Sequence, residues 1–335
     1  MIYADQRWIG DHGIGRFARR VLAGLDYSPL ALTSHPASPL DSLRLAGALR
    51  NLTGEDLFFS PGYNSPLFCA APFIFTLHDL NHIDRPENSS APKRLYYATL
   101  LRRACHRAAS IVTISEFSRG RIIEWSGVPP EKVFNVGCGV DPEYRPGAEP
   151  RAHPFPYLLC VSNRKRHKNE FRTVEAFARA GLSREMRLVF TGNPTAELAD
   201  CIERQRVKPR VDFVGVVAEA QLPSLYRGAD ALVFASLYEG FGLPVLEAMA
   251  CGTPVVTANT SALPEVAGDA ALLVDPTSVE QIADAMRRIV SDSSLRKQLR
   301  SRGLAQAARF SWAGTATGVQ KLLTGNAMRA VGTGN

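Results

Sequence analysis

The chain has few cysteines, and their spacing excludes a structural zinc site and a disulfide framework. They stand at positions 69, 105, 138, 160, 201 and 251, so neighbouring ones are more than twenty residues apart. Zinc motifs and redox pairs need cysteines only a few residues apart, so we expect reduced and mostly buried thiols. The chain also lacks two aspartates two positions apart, and therefore lacks an Asp-x-Asp metal motif.

Long uninterrupted apolar segments are also missing. The longest charge-free stretch, 57–78, contains three prolines, a glycine and an asparagine, which a bilayer-spanning helix would not carry. The opening residues Met-Ile-Tyr-Ala-Asp do not resemble a signal peptide. We expect a cytoplasmic protein, and peripheral contact with the inner face of the plasma membrane stays open.

The excess of positive charge is small and unevenly distributed. Lysine and arginine number 39 and aspartate and glutamate 32, which gives a formal net charge of +7. Residues 1–150 carry 16 basic and 15 acidic residues, so most of the excess lies further along the chain. Such a bias suits an anionic ligand. Because no nucleic-acid motif accompanies it, we expect no nucleic-acid partner.

Length and hydrophobic pattern predict two α/β domains. A chain of 335 residues can form two domains that each bury a core. The proline-rich segment 141–156 interrupts helix and strand alike, and it separates a domain at 1–150 from one at 151–335. Continuous apolar strands alternate with amphipathic helices in both, as is typical of parallel sheets. The predicted strands are 56–59, 73–76, 110–114, 133–136, 157–161, 187–191, 211–214, 231–235, 254–257 and 271–274.

The segment SLYEGFGLPVLEAMACGTP, at 236–254, is the most informative part of the chain. It follows a predicted strand, and Gly240 and Gly242 permit a tight loop with close backbone approach. Pro244 is typical of the first turn of a helix, and Gly252 of its end. The segment therefore predicts a strand, a glycine loop and a short helix. The N-terminus of such a helix binds anions.

Two glutamates flank this predicted anion site. Glu239 lies in the loop and Glu247 lies eight positions later, just inside the helix. Paired carboxylates suit hydrogen bonding to the vicinal hydroxyls of a sugar or a ribose. In the simpler alternative, Glu247 complements the helix dipole and Glu239 is solvated. The arrangement resembles the Glu-x7-Glu signature of the GT-B retaining glycosyltransferases, in particular family 4, whose members use nucleotide sugars.

The resemblance extends along most of the chain. One departure is Ser162, which stands where the family usually has glycine. The similar motifs are GDHGIGR at 10–16, TLHDL at 76–80, VTISEFS at 112–118, GVD at 139–141, CVSNRKRHKN at 160–169, TG at 191–192 and FVG at 213–215. The resemblance implies a GT-B fold: two Rossmann-like parallel-sheet domains facing each other across a cleft. The first domain would bind the acceptor and the second the nucleotide sugar, with a last helix at about 313–323 packing back on the first domain.

The resemblance also implies roles for individual residues. Arg164 and Lys168 would neutralise the departing diphosphate, with Lys165 and Arg166 as alternatives to Arg164. Glu239 would hold the donor sugar and Glu247 the ribose, and His78 would lie near the sugar and the acceptor. The residues expected to line the donor site are Gly13, Gly15, Asn163, Gly192, Val216, Gly240, Phe241, Gly242 and Leu243.

The implied reaction transfers a hexose, by best guess mannose from GDP-mannose, to a hydroxyl of a polysaccharide or a lipid-linked oligosaccharide. No metal or other cofactor is expected, because basic groups would take the place of a divalent cation. A sugar-nucleotide epimerase of GT-B type, a UDP- or dTDP-sugar transferase and a catalytically silent binder stay open. An NAD-dependent dehydrogenase is disfavoured, because the G-x-G-x-x-A match at 13–18 lies too far from its strand.

One further segment, in the first half of the chain, combines basic and apolar residues. Residues 92–108 predict a helix in which five lysines and arginines accompany apolar positions. A basic amphipathic helix can lie on an anionic membrane. It can equally be an ordinary surface helix whose apolar side faces the core, and the sequence leaves both interpretations open.

Overall fold

The computed structural model describes residues 1–38, 40–147, 149 and 151–332, with side chains up to 326. The chain forms two compact units. The first unit contains Met1–Gly139 and the segment from Ser311 onward, and the second unit is Val140–Phe310. The contacts therefore place the boundary about eleven residues before the one expected from the prolines, and the C-terminal segment belongs to the first unit.

The first unit is a parallel six-stranded sheet in the order β2-β1-β3-β4-β5-β6. Its central strands consist entirely of buried residues, because helices cover both faces of the sheet. The strands are β1 (Ile2–Ala4), β2 (Ser28–Pro29), β3 (Leu57–Ser60), β4 (Phe73–Thr76), β5 (Ser110–Thr113) and β6 (Val133–Asn135). The helices are α1 (Gly13–Leu22), α2 (Asp41–Ala48), α3 (Asn81–Asp84), α4 (Ala91–Tyr96), α5 (Arg102–Arg107) and α6 (Glu116–Ser126).

The predicted helix at 92–108 is one helical segment with an irregular centre. A π-helical turn at Tyr97–Leu101 joins α4 to α5. Tyr97 and Leu101 of this turn are buried, whereas Leu95 is exposed. The segment therefore has an apolar side in the core and also exposes a leucine.

The second unit is a parallel six-stranded sheet in the order β12-β11-β10-β7-β8-β9. The strands are β7 (Tyr157–Cys160), β8 (Arg187–Phe190), β9 (Val211–Phe213), β10 (Ala231–Phe234), β11 (Val255–Ala258) and β12 (Leu272–Val274). The helices are α7 (Glu170–Arg179), α8 (Ala196–Arg204), α9 (Leu222–Gly228), α10 (Leu243–Ala250), α11 (Leu263–Ala267), α12 (Val279–Ser291) and α13 (Ser293–Ala307).

The final helix, α14 (Trp312–Gly332), belongs to the first unit, where it packs on α1 and β3. It is longer than the expected 313–323. Its start is held close to the end of β6: a Cβ on Gly139 would lie 2.0 Å from the backbone nitrogen of Trp312, so no larger residue fits there.

The ten predicted strands are confirmed, with ends that differ by at most one residue. β2 was missed because two residues, one of them a proline, carry no alternating or continuous apolar pattern. The six cysteines are unpaired thiols, and five of them are buried, as expected. Among the residues that the structure describes, no helix combines the length and apolar character needed to cross a lipid bilayer.

Candidate functional site

The order of strands in the second unit locates its ligand-binding edge. From β7 the chain proceeds to β8 and β9 on one side, whereas β10, β11 and β12 follow on the other. In open parallel sheets, ligands bind at such a reversal, beyond the carboxyl ends of the two neighbouring strands. The loop after β7 contains the basic motif at 164–168, and the loop after β10 contains Glu239 and the glycines. The fold thus brings together two motifs that are some seventy residues apart in the sequence.

Asn169 fastens these two loops to each other. Its backbone has a φ of 60°, in the left-handed region. Its side-chain amide donates hydrogen bonds of 2.9 Å to the carbonyl of Ala235 and 2.6 Å to that of Pro276. These bonds hold the start of α7 against the end of β10, so they set where the preceding basic residues lie. Asn163, in the same loop, is exposed.

Lys168 and Glu239 form an ion pair at this edge. The Lys168 ammonium donates to Oε1 of Glu239 over 2.7 Å and lies 5.0 Å from the centre of the Phe234 ring. The backbone N–H of Glu239 donates to the Ser261 hydroxyl over 3.0 Å. Both side chains are largely covered, at 14% and 12% exposure. The structure therefore joins the predicted phosphate ligand directly to the predicted sugar ligand.

Arg164 is engaged elsewhere. Its Nε donates to the carbonyl of Asn193 over 2.8 Å, and its terminal nitrogens donate to the Glu170 carboxylate and the Thr191 carbonyl. These contacts join the loop after β7 to the loop after β8, which favours a structural role over contact with a diphosphate. Within the described part of the chain, the exposed side chains of Lys165 and Arg166 have no hydrogen-bond or ionic partner.

The glycine loop ends at a set of backbone N–H donors at the start of α10. Gly242 caps α10 with a φ of 109°, which requires glycine, and a Cβ there would lie 2.7 Å from Leu263 Cδ2. Phe241 is buried, with its ring edge-on to Phe310 at 5.8 Å. Among the described residues, no acceptor is found for the backbone N–H groups of Phe241, Gly242 and Leu243. Unpaired N–H groups at a helix N-terminus suit an anion.

Glu247, to which the resemblance assigns the ribose, is buried. It is the fifth residue of α10 and only 2% exposed. The buried hydroxyl of Tyr226 donates to its Oε2 over 2.7 Å. Burial, together with the neighbouring carboxylate, holds the pKa of Tyr226 well above its ordinary value, so this hydroxyl stays a neutral donor. Tyr226 was not predicted from the sequence, although a tyrosine in an apolar helical stretch needs a polar partner when buried.

The remaining predicted donor contacts lie at the ends of β8 and β9. Gly192 and Gly215 have φ values of 72° and 70°, and the N–H of Gly192 donates to the carbonyl of Gly215 over 2.6 Å. This bridge places Gly192 next to Val216, whose side chain is 90% exposed. An exposed valine beside two strand ends is an apolar surface available to a ligand.

In the first unit, the corresponding reversal lies between β1 and β3. The loop after β1 leads into α1, where Nδ1 of His12 accepts a 3.0 Å hydrogen bond from the N–H of Gly15. A Cβ on Gly15 would lie 2.4 Å from the carbonyl oxygen of Gly10, so only glycine fits. Gly13 is the first residue of α1. Of these two predicted glycines, Gly15 is thus required by a close approach of the backbone.

A buried ionic cluster anchors the start of this loop. Arg7 donates to Asp5 and to Asp41 over 2.7 Å each, and these side chains are at most 9% exposed. Burial alone would lower the pKa of Arg7, but the bonds to the two carboxylates raise it above its ordinary value. Arg7 therefore keeps its charge, and the cluster connects the end of β1 to the start of α2.

His78 follows β4 in the first unit and is buried. Its Nε2 donates to the carbonyl of Pro61 over 3.0 Å, because a carbonyl can only accept. Its ring lies edge-on to Phe17 at 4.9 Å and at 5.6 Å from Tyr63. Burial lowers the pKa of His78 to about 4, although the bond to Pro61 opposes this. The imidazole is therefore neutral at physiological pH.

Two family models match the chain, and together they span most of it. The description "Glycosyltransferase Family 4" matches residues 9–144, and "Glycosyl transferases group 1" matches residues 146–306. The chain is 32% identical over 307 residues to the O-antigen chain mannosyltransferase B of Escherichia coli, over 88% of this chain and 80% of that protein. It is 28% identical over 256 residues to the MMP alpha-(1->4)-mannosyltransferase of Mycolicibacterium hassiacum, over 72% and 62% of the two chains.

Solved structures agree on the fold. Anabaena Alr3699/HepE in complex with UDP and glucose superposes with a TM-score of 0.76 at 18% identity, over 97% of this chain and 99% of that one. WaaG, a glycosyltransferase involved in lipopolysaccharide biosynthesis, superposes with a TM-score of 0.74 at 16% identity, over 97% and 100%. These likenesses show the GT-B fold that the sequence predicted. The chain belongs to glycosyltransferase family 4 and is a glycosyltransferase.

Proposed function

We propose that this enzyme transfers mannose from GDP-mannose, with retention of anomeric configuration, to a hydroxyl of a polysaccharide or lipid-linked oligosaccharide. The second unit would hold the donor and the first unit the acceptor. The observation that carries the proposal is the Lys168–Glu239 ion pair, at the strand-order reversal of a sheet whose α10 begins with unpaired N–H groups. The names of the relatives, which are mannosyltransferases of O-antigen and other saccharides, support the choice of sugar.

The leaving diphosphate would lie at the N-terminus of α10. There the N–H groups of Phe241, Gly242 and Leu243 and the helix dipole stabilise negative charge. Lys168 adds a positive charge, and its ion pair with Glu239 holds it in place. Because these groups are fixed before charge develops on the leaving group, they lower the barrier electrostatically, without a metal ion.

Glu239 would bind hydroxyls of the donor sugar, with its carboxylate oriented by Lys168. The same ammonium can then contact both the carboxylate and the phosphate, which fixes the sugar relative to its leaving group. Arg164 would act indirectly: its bonds to Glu170, Thr191 and Asn193 hold the loop that carries Lys168. In this proposal Arg164 is a positioning residue.

Glu247 would accept hydrogen bonds from the ribose hydroxyls, and Tyr226 would orient it. One carboxylate oxygen of Glu247 already accepts the Tyr226 hydroxyl. That bond restricts rotation of the carboxylate in a buried site, where a misdirected charge is costly. Val216, Gly192 and Asn163 would line the nucleoside.

The surface of the first unit would contact the acceptor and the membrane. His78 would act there as a neutral group, since its buried ring is already bonded to Pro61. The basic segment 92–108 would lie on the inner face of the plasma membrane, where lipid-linked acceptors are found.

The transfer reaction itself is the first prediction. With a mannose-terminated oligosaccharide as acceptor, GDP-mannose should be consumed and UDP-glucose and dTDP-glucose should not, and activity should survive EDTA. The product linkage, read from the anomeric carbon–hydrogen coupling in NMR, should be α, as in the donor. Conversion of the donor without acceptor would identify an epimerase. Loss of activity with EDTA and recovery with Mg²⁺ would overturn the proposed neutralisation of the leaving group.

The second prediction concerns Lys168. Lys168→Ala should lower kcat/KM roughly tenfold to a hundredfold, because a charge-assisted hydrogen bond that strengthens in the transition state is lost. Its free energy of unfolding should fall by roughly 1–3 kcal/mol, because the substitution leaves the mostly covered Glu239 carboxylate without its cation. Lys168→Arg should recover part of the activity. Lys165→Ala is the matched control from the same loop, and it should retain most of kcat/KM. Wild-type kinetics in Lys168→Ala would contradict the assignment.

The third prediction separates Tyr226 from Glu247. By calorimetry, the wild-type enzyme should bind GDP at least about tenfold more tightly than 2′-deoxy-GDP, because a hydrogen bond to a carboxylate is lost. Glu247→Gln should remove this preference for GDP over 2′-deoxy-GDP, and Tyr226→Phe should reduce it. Tyr157→Phe is the control, because it removes another buried hydroxyl, bonded to Leu225, in the same unit. If Glu247→Gln lowers the ratio and Tyr226→Phe does not, Tyr226 has no positioning role.

The fourth prediction follows from the neutral imidazole of His78. Because its pKa is about 4 in the folded protein and about 6.5 when unfolded, the unfolded state binds more protons between these values. The contribution of the neutral His78 to the free energy of unfolding should therefore be fully present above pH 6.5. It should fall by roughly 3 kcal/mol as the pH approaches 4. In His78→Gln, whose amide can still donate to Pro61, urea unfolding should show a smaller decrease over this range. An unchanged pH dependence would mean that His78 titrates normally.

A further inference from the structure

The segment that leads from β6 to β7 is mostly exposed but buries one aromatic side chain. We call residues 141–151 the connecting segment, of which the structure describes all but 148 and 150. Tyr144, in this segment, is only 5% exposed. Its ring lies 6.0 Å from the ring of Tyr226, with 57° between the two planes. Tyr144 therefore packs the connecting segment against α9, the helix that carries Tyr226.

Arg227, the residue after Tyr226, holds the same segment by its backbone. The N–H of Arg151 adds a hydrogen bond of 2.9 Å to the carbonyl of Ser224 in α9. A guanidinium suits this arrangement, because its donors spread in one plane over several acceptors. Its hydrogen bonds, of 3.2–3.5 Å, go to the carbonyls of Glu143, Arg145 and Glu149. The connecting segment is thus fastened to α9 at several points along its length.

Two further contacts join α9 to α10. The Thr253 hydroxyl, just after α10, donates to the backbone carbonyl of Tyr226 over 2.6 Å. The buried thiol of Cys251, at the end of α10, contacts the side chain of Arg227. The connecting segment, α9 and α10 are therefore bonded to one another around Tyr226, and α10 is the helix that carries Glu247.

A hydroxyl can orient a carboxylate only while its own ring is held in place. The Tyr226 hydroxyl donates to Oε2 of Glu247 over 2.7 Å, and the Tyr144 ring packs on Tyr226. If the connecting segment were released from α9, water would reach the Tyr226 ring and compete for its hydroxyl. The carboxylate of Glu247 would then lose a fixed direction, because the group that supports it would no longer be covered.

We propose that Arg227 and Tyr144 are positioning residues for recognition of the donor ribose. Arg227 fastens the connecting segment, Tyr144 packs on the Tyr226 ring, and the Tyr226 hydroxyl directs the carboxylate of Glu247. The inference rests on the proposed role of Glu247 and extends it to a segment outside the donor site. A connecting segment with a structural role alone would instead affect stability and leave ribose recognition unchanged.

Calorimetric titration with a nucleoside diphosphate and its 2′-deoxy form tests the inference. GDP and UDP are both tried, and the one that the wild-type enzyme binds is used, so the result does not depend on the base. Arg227→Ala and Tyr144→Leu should each lower the preference for the ribonucleotide from at least about tenfold to roughly threefold. Affinity for the 2′-deoxy form should stay close to that of the wild type, because its phosphate contacts remain.

A double variant separates a positioning role from a structural one. Tyr226→Phe removes the hydroxyl through which Arg227 would act. Adding Arg227→Ala to this variant should therefore leave the remaining preference unchanged, since the two substitutions interrupt the same chain of contacts. Arg227→Lys, which keeps the charge and one donor group, and Tyr144→Phe, which keeps the ring, should retain more of the preference than Arg227→Ala and Tyr144→Leu.

The matched control is Arg210→Ala. Arg210 also donates to two backbone carbonyls of the second unit, those of Leu182 and Ser183, over 3.2 and 3.1 Å. Its substitution should lower the melting temperature and leave the ribonucleotide preference at the wild-type value. Thermal melts of every variant identify any that fail to fold. Should Arg227→Ala fail to fold, Tyr144→Leu still tests the inference.

Three outcomes would overturn the inference. A full wild-type preference in folded Arg227→Ala or Tyr144→Leu would do so while leaving Glu247 as the ribose ligand. An additive loss in Tyr226→Phe/Arg227→Ala would do so as well, because Arg227 would then act by another route. Equal binding of the ribonucleotide and its 2′-deoxy form by the wild type would overturn the ribose role of Glu247 and this inference with it.

Discussion

The candidate donor site depends on the adjacency of β7 and β10 in a parallel sheet. Parallel strands all end at the same edge, so the loops that follow two neighbouring strands must meet there, however far apart they are in sequence. Asn169 converts this adjacency into a fixed geometry through its bonds to Ala235 and Pro276. Together with the hydrogen bond from the Leu237 N–H to the His167 carbonyl, these bonds fix the loop that carries Lys168 relative to the loop of Glu239.

The two largely covered cations of this site are each paired with a carboxylate. Lys168 is paired with Glu239 and Arg164 with Glu170, in surroundings that are mostly covered. A buried unpaired charge would be costly or would lose its proton, so each cation is stabilised by a carboxylate. The backbone N–H groups at the start of α10 differ, because they have positive character without a compensating acid. The edge therefore favours an anion even though Lys168 and Arg164 are each paired with a carboxylate.

Much of the fold could be predicted because its signals are local. Continuous apolar runs mark strands that are covered on both faces, and Gly242, Pro244 and Gly252 mark the ends of α10. Where the local signal is weak, prediction failed. β2 is only two residues long, and it is a strand because β1 lies beside it.

The sequence by itself determined the family, the two parallel sheets and the motifs that meet at the edge of the second sheet, because each rests on residue type and spacing. Only the tertiary structure decided between neighbouring residues of the same chemistry. Arg164 and Lys168 are both cations of one loop, yet the first is bonded to Glu170 and the second to Glu239. Tyr226 became a candidate only because folding buries its hydroxyl against Glu247. Such partners are far apart in the chain, and packing alone selects them.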